Sequence, residues 1–286
     1  MRVTGKTKIY AIFGHPVEHS LSPAMYNAAF AASGLDSVYI PWKVAVEDFP
    51  TALQAAREME NFGGGNVTVP HKERAAELCD WLSPEAEALG AVNTLVTQDG
   101  RLFGSNTDGA GFLRSLVEEG GFDPKGKRVL IIGAGGAARA VAFALASAGA
   151  AELTLANRTH KRAEALAALL WGRSLRCQIL ALDLHNKLLA SAIASADLVV
   201  NATPLGLRPE DPSPIDCGPL SPRALAVDLI YNPPETAFLK EAGRRGLKVL
   251  NGLGMLLYQG AAAFELWTKE AAPLEAMRAA LRRKAS

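Results

Sequence analysis

A glycine-rich run in the middle of the chain has the residue types and spacing that bind a pyrophosphate. Gly133-Ala-Gly-Gly-Ala-Ala138 fits the pattern G-x-G-x-x-A. It follows an apolar stretch, 128–132, that predicts a strand, and it opens a predicted helix over 138–148. In such a turn the glycines allow a tight bend and a close backbone approach, while the helix N-terminus faces negative charge. A turn of small residues that serves only helix–strand packing fits the same letters.

The residues after the next predicted strand indicate which dinucleotide would fit. Asn157 follows Gly133 by 24 residues, a place where NAD-binding sites usually carry an acid for the ribose 2′-hydroxyl. Arg158 stands next to it, with Thr159 and Arg162 close behind. A guanidinium suits a 2′-phosphate through charge-assisted, often bidentate hydrogen bonds. A basic surface loop is the alternative, although positive charge at a helix start opposes the dipole. The pattern therefore favours NADP over NAD.

Polar side chains in the first third of the chain are of the types that bind a small hydroxylated ligand. Ser20 and Ser22 lie between a predicted strand and a predicted helix that has Pro23 in its first turn. Ser22 is equally well explained as the N-cap of that helix. Asn66 and Thr68 are two residues apart on a predicted strand, so their side chains share a face.

Two charged residues in the same region have types that move or stabilise protons. Lys72 begins a predicted helix, where the dipole disfavours a cation, so an anionic neighbour or a chemical task would explain it. Asp108 lies in Asn106-Thr-Asp-Gly109, and from the residues alone a turn or cap aspartate is the favoured explanation. His15 and His19 are four apart, but Pro16 disfavours a helix across them and no third ligand is evident, so we predict no metal site.

Apolar runs and turn signals predict strands that alternate with helices, the pattern of an α/β fold. The first part of the chain has predicted strands at 8–14, 37–44, 66–70, 91–97 and 101–103, and helices at 22–32, 46–60 and 72–82. Residues 98–100 fit a hairpin turn. A second part begins near Gly120, with predicted strands at 128–132, 152–156, 177–182, 197–202, 225–230 and 247–250, and final helices at 255–270 and 274–284.

Composition excludes several function classes. The 286 residues are enough for about two domains. Thirty basic and 29 acidic residues leave a net charge of +1, which argues against general attraction to nucleic acid or an anionic membrane. The three cysteines are scattered and fit a reducing compartment. The longest apolar run, 140–151, falls well short of the roughly 20 residues of a membrane span. We therefore predict a soluble, cytoplasmic protein.

Taken together, these segments and others resemble the shikimate dehydrogenase family in one ordered set along the whole chain. The matching segments are Gly14-His-Pro-Val-Glu-His-Ser-Leu-Ser-Pro23, Asn66-Val-Thr-Val-Pro-His-Lys72, Gly90-Ala-Val-Asn-Thr94, Asn106-Thr-Asp-Gly109, Gly133-Ala-Gly-Gly-Ala137, Asn157-Arg-Thr159, Asn201-Ala-Thr-Pro-Leu-Gly206, Asp228-Leu-Ile-Tyr-Asn-Pro233 and Asn251-Gly-Leu-Gly-Met255.

The resemblance implies a fold and a reaction. It implies an N-terminal α/β substrate domain, residues 1–115 completed by the C-terminal helices 255–286. It also implies a Rossmann-like, doubly wound dinucleotide-binding domain over 116–254, with a cleft between the two. The implied reaction is the reversible, NADP-dependent conversion of 3-dehydroshikimate to shikimate, on the way to chorismate and the aromatic amino acids. Its partners would be small molecules, and the protein would be a monomer or a homodimer.

The resemblance also assigns roles to individual residues. Lys72 would be the catalytic acid and base, paired with Asp108. The substrate's hydroxyls and carboxylate would be bound by Ser20, Ser22, Asn66, Thr68, Asn93, Asp108, Tyr231 and Gln259. The dinucleotide would be held by Gly133, Ala134, Gly135, Gly136 and Ala137 at its pyrophosphate, by Asn157, Arg158, Thr159 and Arg162 at its adenosine, and by Leu229 and Gly252 at its nicotinamide.

Two other functions fit the same scaffold. A quinate/shikimate dehydrogenase would often prefer NAD, and Arg158 and Ser22 argue against it. A non-catalytic, NADP-dependent sensor would have no use for a proton donor, and the presence of Lys72 and Asp108 argues against that function.

Overall fold

The computed structural model describes residues 3–171 and 176–285, which form two compact units. Unit 1 comprises the chain up to Thr107 together with Gln259–Lys284, and unit 2 comprises Asp108–Tyr258. Within the described ranges, none of the helices combines the length and the apolar character needed to cross a membrane.

Unit 1 is built on one mixed sheet with the strand order β2-β1-β3-β5-β6-β4. Strand β1 pairs in parallel with β2 and β3, whereas β5 is antiparallel to both β3 and β6. The elements, in chain order, are β1 (Lys8–Gly14), α1 (Ser22–Ala32), β2 (Ser37–Lys43), α2 (Phe49–Glu58), β3 (Phe62–Val67), α3 (Lys72–Leu78), β4 (Trp81–Leu82), α4 (Pro84–Leu89), β5 (Thr94–Gln98) and β6 (Arg101–Ser105).

Strand β1, which lies between β2 and β3, is buried on both faces, which is why its sequence from Ile9 onward is a continuous apolar run. Phe13 packs into a cluster with Phe49 on one face, and Tyr10 packs against Phe30 and Trp267 on the other. The indole N–H of Trp267, in the C-terminal part of unit 1, donates to the carbonyl of Leu95 over 2.8 Å. The C-terminal segment is thereby fixed to the sheet by both packing and a buried hydrogen bond.

Unit 2 has a fully parallel sheet with the strand order β12-β11-β10-β7-β8-β9. This is the doubly wound order, with a switch point between the first strand, β7, and β10. The elements of unit 2 are α5 (Asp108–Glu118), β7 (Arg128–Ile132), α6 (Gly136–Ser147), β8 (Glu152–Asn157), α7 (His160–Trp171), β9 (Gln178–Asp183), α8 (Leu189–Ser195), β10 (Leu198–Asn201), β11 (Leu225–Asp228), α9 (Ala237–Arg244) and β12 (Lys248–Leu250). Helix α10 (Leu253–Thr268) begins in unit 2 and continues into the C-terminal segment of unit 1, which also contains α11 (Leu274–Ala285).

Strand β7 shows why the second sheet is covered on both faces. Val129 and Ile131 belong to one buried cluster, and Leu130 and Ile132 belong to another on the opposite face. Successive side chains of a strand point to opposite faces, so a run without polar residues needs two apolar layers. The predicted α/β class with a Rossmann-like second half is confirmed.

Three local predictions from the sequence are wrong. The strand predicted at 66–70 is β3, which begins at Phe62 and ends at Val67, because three consecutive glycines concealed its first half. The helix predicted to reach residue 82 ends at Leu78 and is followed by β4 and α4, two elements too short to leave a periodic signal. Ser22 is not an N-cap, because Leu21 occupies that position and no side chain caps α1. The burial of Ser22 therefore needs another explanation.

Candidate active site

The carboxyl ends of β1 and β3 place four of the predicted substrate residues at one edge of the first sheet. Ser20 and Ser22 follow β1, and the Ser22 N–H donates to Ser20 Oγ over 3.3 Å. Asn66 is the second-last residue of β3, and Thr68 comes directly after the strand, half-buried. Because β1 and β3 are parallel neighbours, their ends lie side by side, which is where ligands bind in sheets of this kind.

A buried network of amides and hydroxyls joins Asn66, Asn93 and Gln259. Asn66 Nδ2 donates to the Asn93 carbonyl over 3.1 Å and lies 3.3 Å from Thr94 Oγ1. Asn93 Nδ2 reaches Thr107 Oγ1 at 3.1 Å and Gln259 Oε1 at 3.4 Å, and its Oδ1 accepts from the Thr107 N–H over 2.8 Å. The structure thus brings three predicted residues together, and it adds two threonines that the sequence analysis did not single out.

Tyr39 is a further member of this network that the sequence analysis missed. Its side chain is only 1% exposed, and its hydroxyl donates to Asn66 Oδ1 over 2.7 Å. Burial raises the pKa of Tyr39 well above its usual range, and Ser22 hydrogen-bonds the same phenol. This contact explains why Ser22 is buried. Tyr39 sits in an apolar run along β2 that is typical of a core strand, so no local signal distinguishes it.

Lys72 is the first residue of α3, and its backbone is held in place from two sides. Its own carbonyl accepts from the Val92 N–H over 2.9 Å. The preceding residue, His71, is 1% exposed and stacks on Phe49 with 4.4 Å between ring centroids. His71 Nε2 lies 2.8 Å from the carbonyl of Val44, and because a carbonyl only accepts, this nitrogen is the donor. The start of α3 is therefore anchored by a buried, hydrogen-bonded imidazole.

The glycine-rich loop of unit 2 combines one tightly packed glycine with two open ones. Gly133 has a φ of +115°, and a Cβ there would lie 2.7 Å from the carbonyl oxygen of Ala202. Gly135 and Gly136 are exposed, and a Cβ on either would meet nothing within 4 Å. Gly135 is the N-cap of α6 and supplies no side-chain hydrogen bond. The backbone at the start of α6 is therefore open at both glycines, which a pyrophosphate-binding turn requires.

The predicted 2′-phosphate residues lie around the end of β8 and the start of α7. Asn157 Nδ2 donates to the Thr159 carbonyl over 2.9 Å, which fixes the turn. Arg158, Thr159 and Arg162 are exposed. Among the described residues, no carboxylate forms an ion pair with either arginine. Two uncompensated guanidiniums beside a helix N-terminus suit a dianionic ligand better than a structural role.

The other predicted residues of unit 2 lie after β11, before α10 and at the start of α5. Leu229 and Tyr231 are half-buried, and burial raises the pKa of Tyr231. Gly252 is buried, and a Cβ on it would overlap the Leu229 carbonyl. Asp108 is the buried first residue of α5, where a carboxylate suits the helix dipole. Across residues 3–171 and 176–285 no group of three His, Cys, Asp or Glu side chains is arranged to hold a metal ion.

Family models match three stretches of the chain. They are described as the shikimate dehydrogenase substrate binding domain at residues 12–95, shikimate / quinate 5-dehydrogenase at 116–205 and the shikimate 5'-dehydrogenase C-terminal domain at 252–282. The protein named Shikimate dehydrogenase (NADP(+)) from Moorella thermoacetica is 52% identical over 285 residues, covering 99% of this chain and 95% of that protein. The chain belongs to the shikimate dehydrogenase family. The predicted family is confirmed.

Solved structures of shikimate dehydrogenase relatives share the fold over nearly the whole chain. Shikimate 5-dehydrogenase from Thermus thermophilus, in complex with NADP(H) and shikimate, is 44% identical with a TM-score of 0.86, covering 97% of this chain and 99% of that one. Quinate dehydrogenase from Corynebacterium glutamicum, in complex with NAD, is 33% identical with a TM-score of 0.90, at 97% and 99% coverage. The individual site residues stay predictions.

Proposed function

We propose that this chain catalyses the reversible, NADP-dependent reduction of 3-dehydroshikimate to shikimate, with Lys72 and Asp108 in the acid–base step. The observation that carries the proposal is the 52% identity, over nearly the full length, to the protein from Moorella thermoacetica named Shikimate dehydrogenase (NADP(+)). The chain is an oxidoreductase of that family, and its dinucleotide is NADP.

The residues of unit 2 fit this dinucleotide. The open N-terminus of α6 suits a pyrophosphate, and the exposed Arg158 and Arg162 suit a 2′-phosphate. When bound, NADPH supplies the hydride. The chain itself supplies placement and proton transfer.

Lys72 has the chemistry for the proton. A carbonyl that accepts hydride develops alkoxide charge on its oxygen, and an ammonium can stabilise that charge and then donate a proton to it. Because the start of α3 is anchored through His71, the backbone of Lys72 is held in a fixed position. In this proposal Asp108 is the partner of Lys72 in the acid–base step and also binds the substrate.

The network of unit 1 gives the substrate-binding role its physical basis. Asn66, Asn93 and Gln259 are held by one another and by neighbouring hydroxyls, so their amide groups have fixed directions. Fixed neutral donors and acceptors discriminate well between ligands that differ in hydroxyl groups, because an unmatched buried group costs free energy. Ser20, Ser22, Thr68 and Tyr231 complete the proposed set.

Oxidation of quinate with NAD is the second candidate, since the quinate dehydrogenase named above shares the fold at 33% identity. The exposed Arg158, which suits a 2′-phosphate, favours NADP and hence the first proposal.

We also propose that the protein acts in the cytoplasm, as a monomer or homodimer without nucleic acid, and the scattered free cysteines support a reducing compartment.

Steady-state oxidation assays with shikimate and with quinate, each with NADP and with NAD, test the proposal. We expect kcat/KM to be highest for shikimate with NADP. Preference for quinate with NAD would support the second candidate and overturn the first. Absence of turnover with all four pairs, in protein that binds NADP, would instead indicate a non-catalytic sensor.

A further inference from the structure

Asp228 is a fully buried carboxylate with no cation beside it. It is the last residue of β11, its exposed fraction is 0%, and it forms no ion pair with any described residue. Burial raises its pKa. Burial of a carboxylate costs free energy unless hydrogen-bond donors satisfy both of its oxygens. The groups that bond Asp228 must therefore offset this cost.

Three donors satisfy the carboxylate, and each comes from a different segment of unit 2. Oδ2 accepts from Thr236 Oγ1 over 2.7 Å and from Asn201 Nδ2 over 3.0 Å. Oδ1 accepts from the Ile230 N–H over 3.0 Å. Asn201 ends β10, Ile230 follows β11, and Thr236 caps α9 by accepting from the Leu239 N–H. One side chain therefore ties together the loop after β10 and the loop after β11.

Asn201 carries the constraint into the loop after β10. Its Oδ1 accepts from Thr203 at both the backbone N–H, over 3.0 Å, and the hydroxyl, over 2.7 Å. Its Nδ2 also donates to the Leu205 carbonyl over 3.0 Å. The same segment abuts the glycine-rich loop, since a Cβ on Gly133 would lie 2.7 Å from the Ala202 carbonyl oxygen. The orientation of Asn201 thus fixes the backbone on which the first glycine of that loop rests.

The loop after β11 is held just as closely, and it carries two proposed ligand residues. The Leu229 N–H donates to the Asn201 carbonyl over 3.0 Å, and the Gly252 N–H donates to the Ile230 carbonyl over 3.0 Å. Gly252 also packs so closely on Leu229 that no side chain fits between them. Leu229 lies directly between Asp228 and Ile230, and Tyr231 comes next. The carboxylate therefore sets the backbone of the residues assigned to the nicotinamide and to the substrate.

We propose that Asp228 is a positioning residue, which orients the loops after β10 and β11 so that Leu229 and Tyr231 present the nicotinamide end of the dinucleotide and the substrate in the reactive geometry. This inference rests on the function proposed above. Asp228 should act on the nicotinamide end of the dinucleotide site and not on its 2′-phosphate end. The 2′-phosphate residues at the end of β8 share no hydrogen bond with Asp228, Asn201 or Thr236. Small displacements of reacting groups are costly, since about 1 Å can reduce a rate on the order of 100-fold.

Asp228→Asn tests the role with the least change of shape. An amide offers one oxygen and one NH2 group where the carboxylate offers two oxygens, so it cannot accept from all three donors. Thr236→Val removes the donor to Asp228 and the N-cap of α9 at constant shape, and Thr236→Ser keeps both as the matched control.

The readout compares two ligands by fluorescence or calorimetric titration of the whole chain at a temperature at which circular dichroism shows each variant folded. NADPH reports both ends of the site, whereas adenosine 2′,5′-bisphosphate carries the adenosine, the 2′-phosphate and one phosphate of the pyrophosphate but no nicotinamide. For Asp228→Asn we expect the Kd of NADPH to rise about 5-fold or more and kcat with shikimate to fall about 30-fold or more. The Kd of the bisphosphate should stay within about 2-fold. For Thr236→Val we expect the same pattern at about 3-fold, and for Thr236→Ser values near those of the unaltered chain.

Two outcomes would overturn the positioning role. Equal loss of affinity for both ligands would show that Asp228 only supports the fold, and unchanged values for both would show that the loops hold without it. If Asp228→Asn does not fold, Thr236→Val decides by the same comparison. Turnover of shikimate with NADP by the unaltered chain is measured first, so that failure of the proposed function is distinguished from failure of this inference.

Discussion

In unit 1 the proposed ligand-binding groups are side chains that bond one another, whereas in unit 2 many of them are backbone N–H groups and exposed cations beside open space. Asn93 shows the first arrangement, since its amide is bonded to Thr107 and Gln259 at once. Gly135 shows the second, since it caps α6 without a side chain and has nothing within 4 Å of a Cβ position. The difference matches the chemistry of the proposed ligands.

A small ligand with several hydroxyls is recognised by the directions of neutral donors and acceptors, and these directions must be fixed in advance by other side chains. A pyrophosphate is recognised by charge and by a row of N–H groups, which any residue with enough space can provide. Substitutions in unit 1 should therefore act through the directions of polar side chains. Substitutions in the loop of unit 2 should act through space and backbone conformation.

Lys72→Ala should have the largest effect and tests the chemical side of this contrast. Loss of the proposed proton donor should lower kcat by about 10²–10⁴-fold with little change in the KM of shikimate. Lys6→Ala, an exposed lysine elsewhere in unit 1, is the control for the loss of a positive charge. Steady-state kinetics measure both variants, and a kcat near that of the unaltered chain for Lys72→Ala would rule out the role.

Gly133→Ala should destabilise unit 2 because of backbone strain and a clash. An alanine at a φ of +115° with its Cβ 2.7 Å from a carbonyl oxygen should cost about 2–4 kcal/mol of unfolding free energy. In a thermal melt we expect Tm to fall by about 4–12 °C.

Gly135→Ala, in the same loop, is the matched variant, and we expect it to change the affinity for NADPH more than the stability. Its φ is −89° and its Cβ would meet no atom, so the unfolding free energy should fall by no more than about 1 kcal/mol, the cost of an alanine at an N-cap. The methyl group would instead occupy the proposed pyrophosphate space and raise the Kd of NADPH about 10-fold or more. Equal stability losses in the two variants, or unchanged NADPH affinity in Gly135→Ala, would contradict this division of roles.

Arg158→Gln should have a more selective effect, on NADP but not on NAD. Removal of a charge-assisted hydrogen bond of about 1.5–3 kcal/mol should raise the KM of NADP about 10–100-fold and leave the KM of NAD nearly unchanged. Arg244→Gln, at an exposed position near the end of α9, controls for net charge. A parallel rise in both KM values would show that Arg158 supports the loop rather than binding the 2′-phosphate.

The sequence suffices for elements and ligand groups that have local signals. Strands β1 and β7 are continuous apolar runs, and their predicted and observed ends coincide. The turn at Asp99 and Gly100 has two positive φ values, as the hairpin signal predicts. The glycine-rich loop is likewise local, because a strand, a turn and a helix follow one another in the chain. Strand β4 and helix α4 have too few residues for a period, and only their partners in the fold determine them.

The contacts that organise the site could not be read from the sequence, since their partners are far apart in the chain. Tyr39 reaches Asn66 across 27 residues, and Asn201 reaches Asp228 across the same interval. Within its own segment, Tyr39 is explained as a core residue and Asp228 as an acid at the end of a strand. Their roles follow from register and packing, which place β2 and β3 on the two sides of β1 and the ends of β10 and β11 side by side.

His71→Phe should have the smallest effect, and it asks whether unit 1 depends on packing or on hydrogen bonds. A phenyl ring can keep the stacking on Phe49 but cannot donate to the Val44 carbonyl, which would remain buried and unsatisfied. We expect the unfolding free energy to fall by about 1 kcal/mol, measured by urea denaturation. If the imidazole also fixes the start of α3, Lys72 should shift slightly and kcat should fall about 3–10-fold.

The kinetic part of this prediction separates positioning from stability. A loss of stability with an unchanged kcat would mean that the stacked ring alone aligns α3, so that packing in unit 1 is sufficient for the lysine. A fall in kcat with a constant KM of shikimate would mean that a single hydrogen bond directs the catalytic side chain. His71→Gln, which keeps a donor but loses the stacked ring, should then retain more of kcat than His71→Phe while losing more stability. The reverse order would show that the aromatic contact, and not the hydrogen bond, positions Lys72. Hydrogen bonds between side chains would then distinguish unit 1 from unit 2 less than the structure indicates.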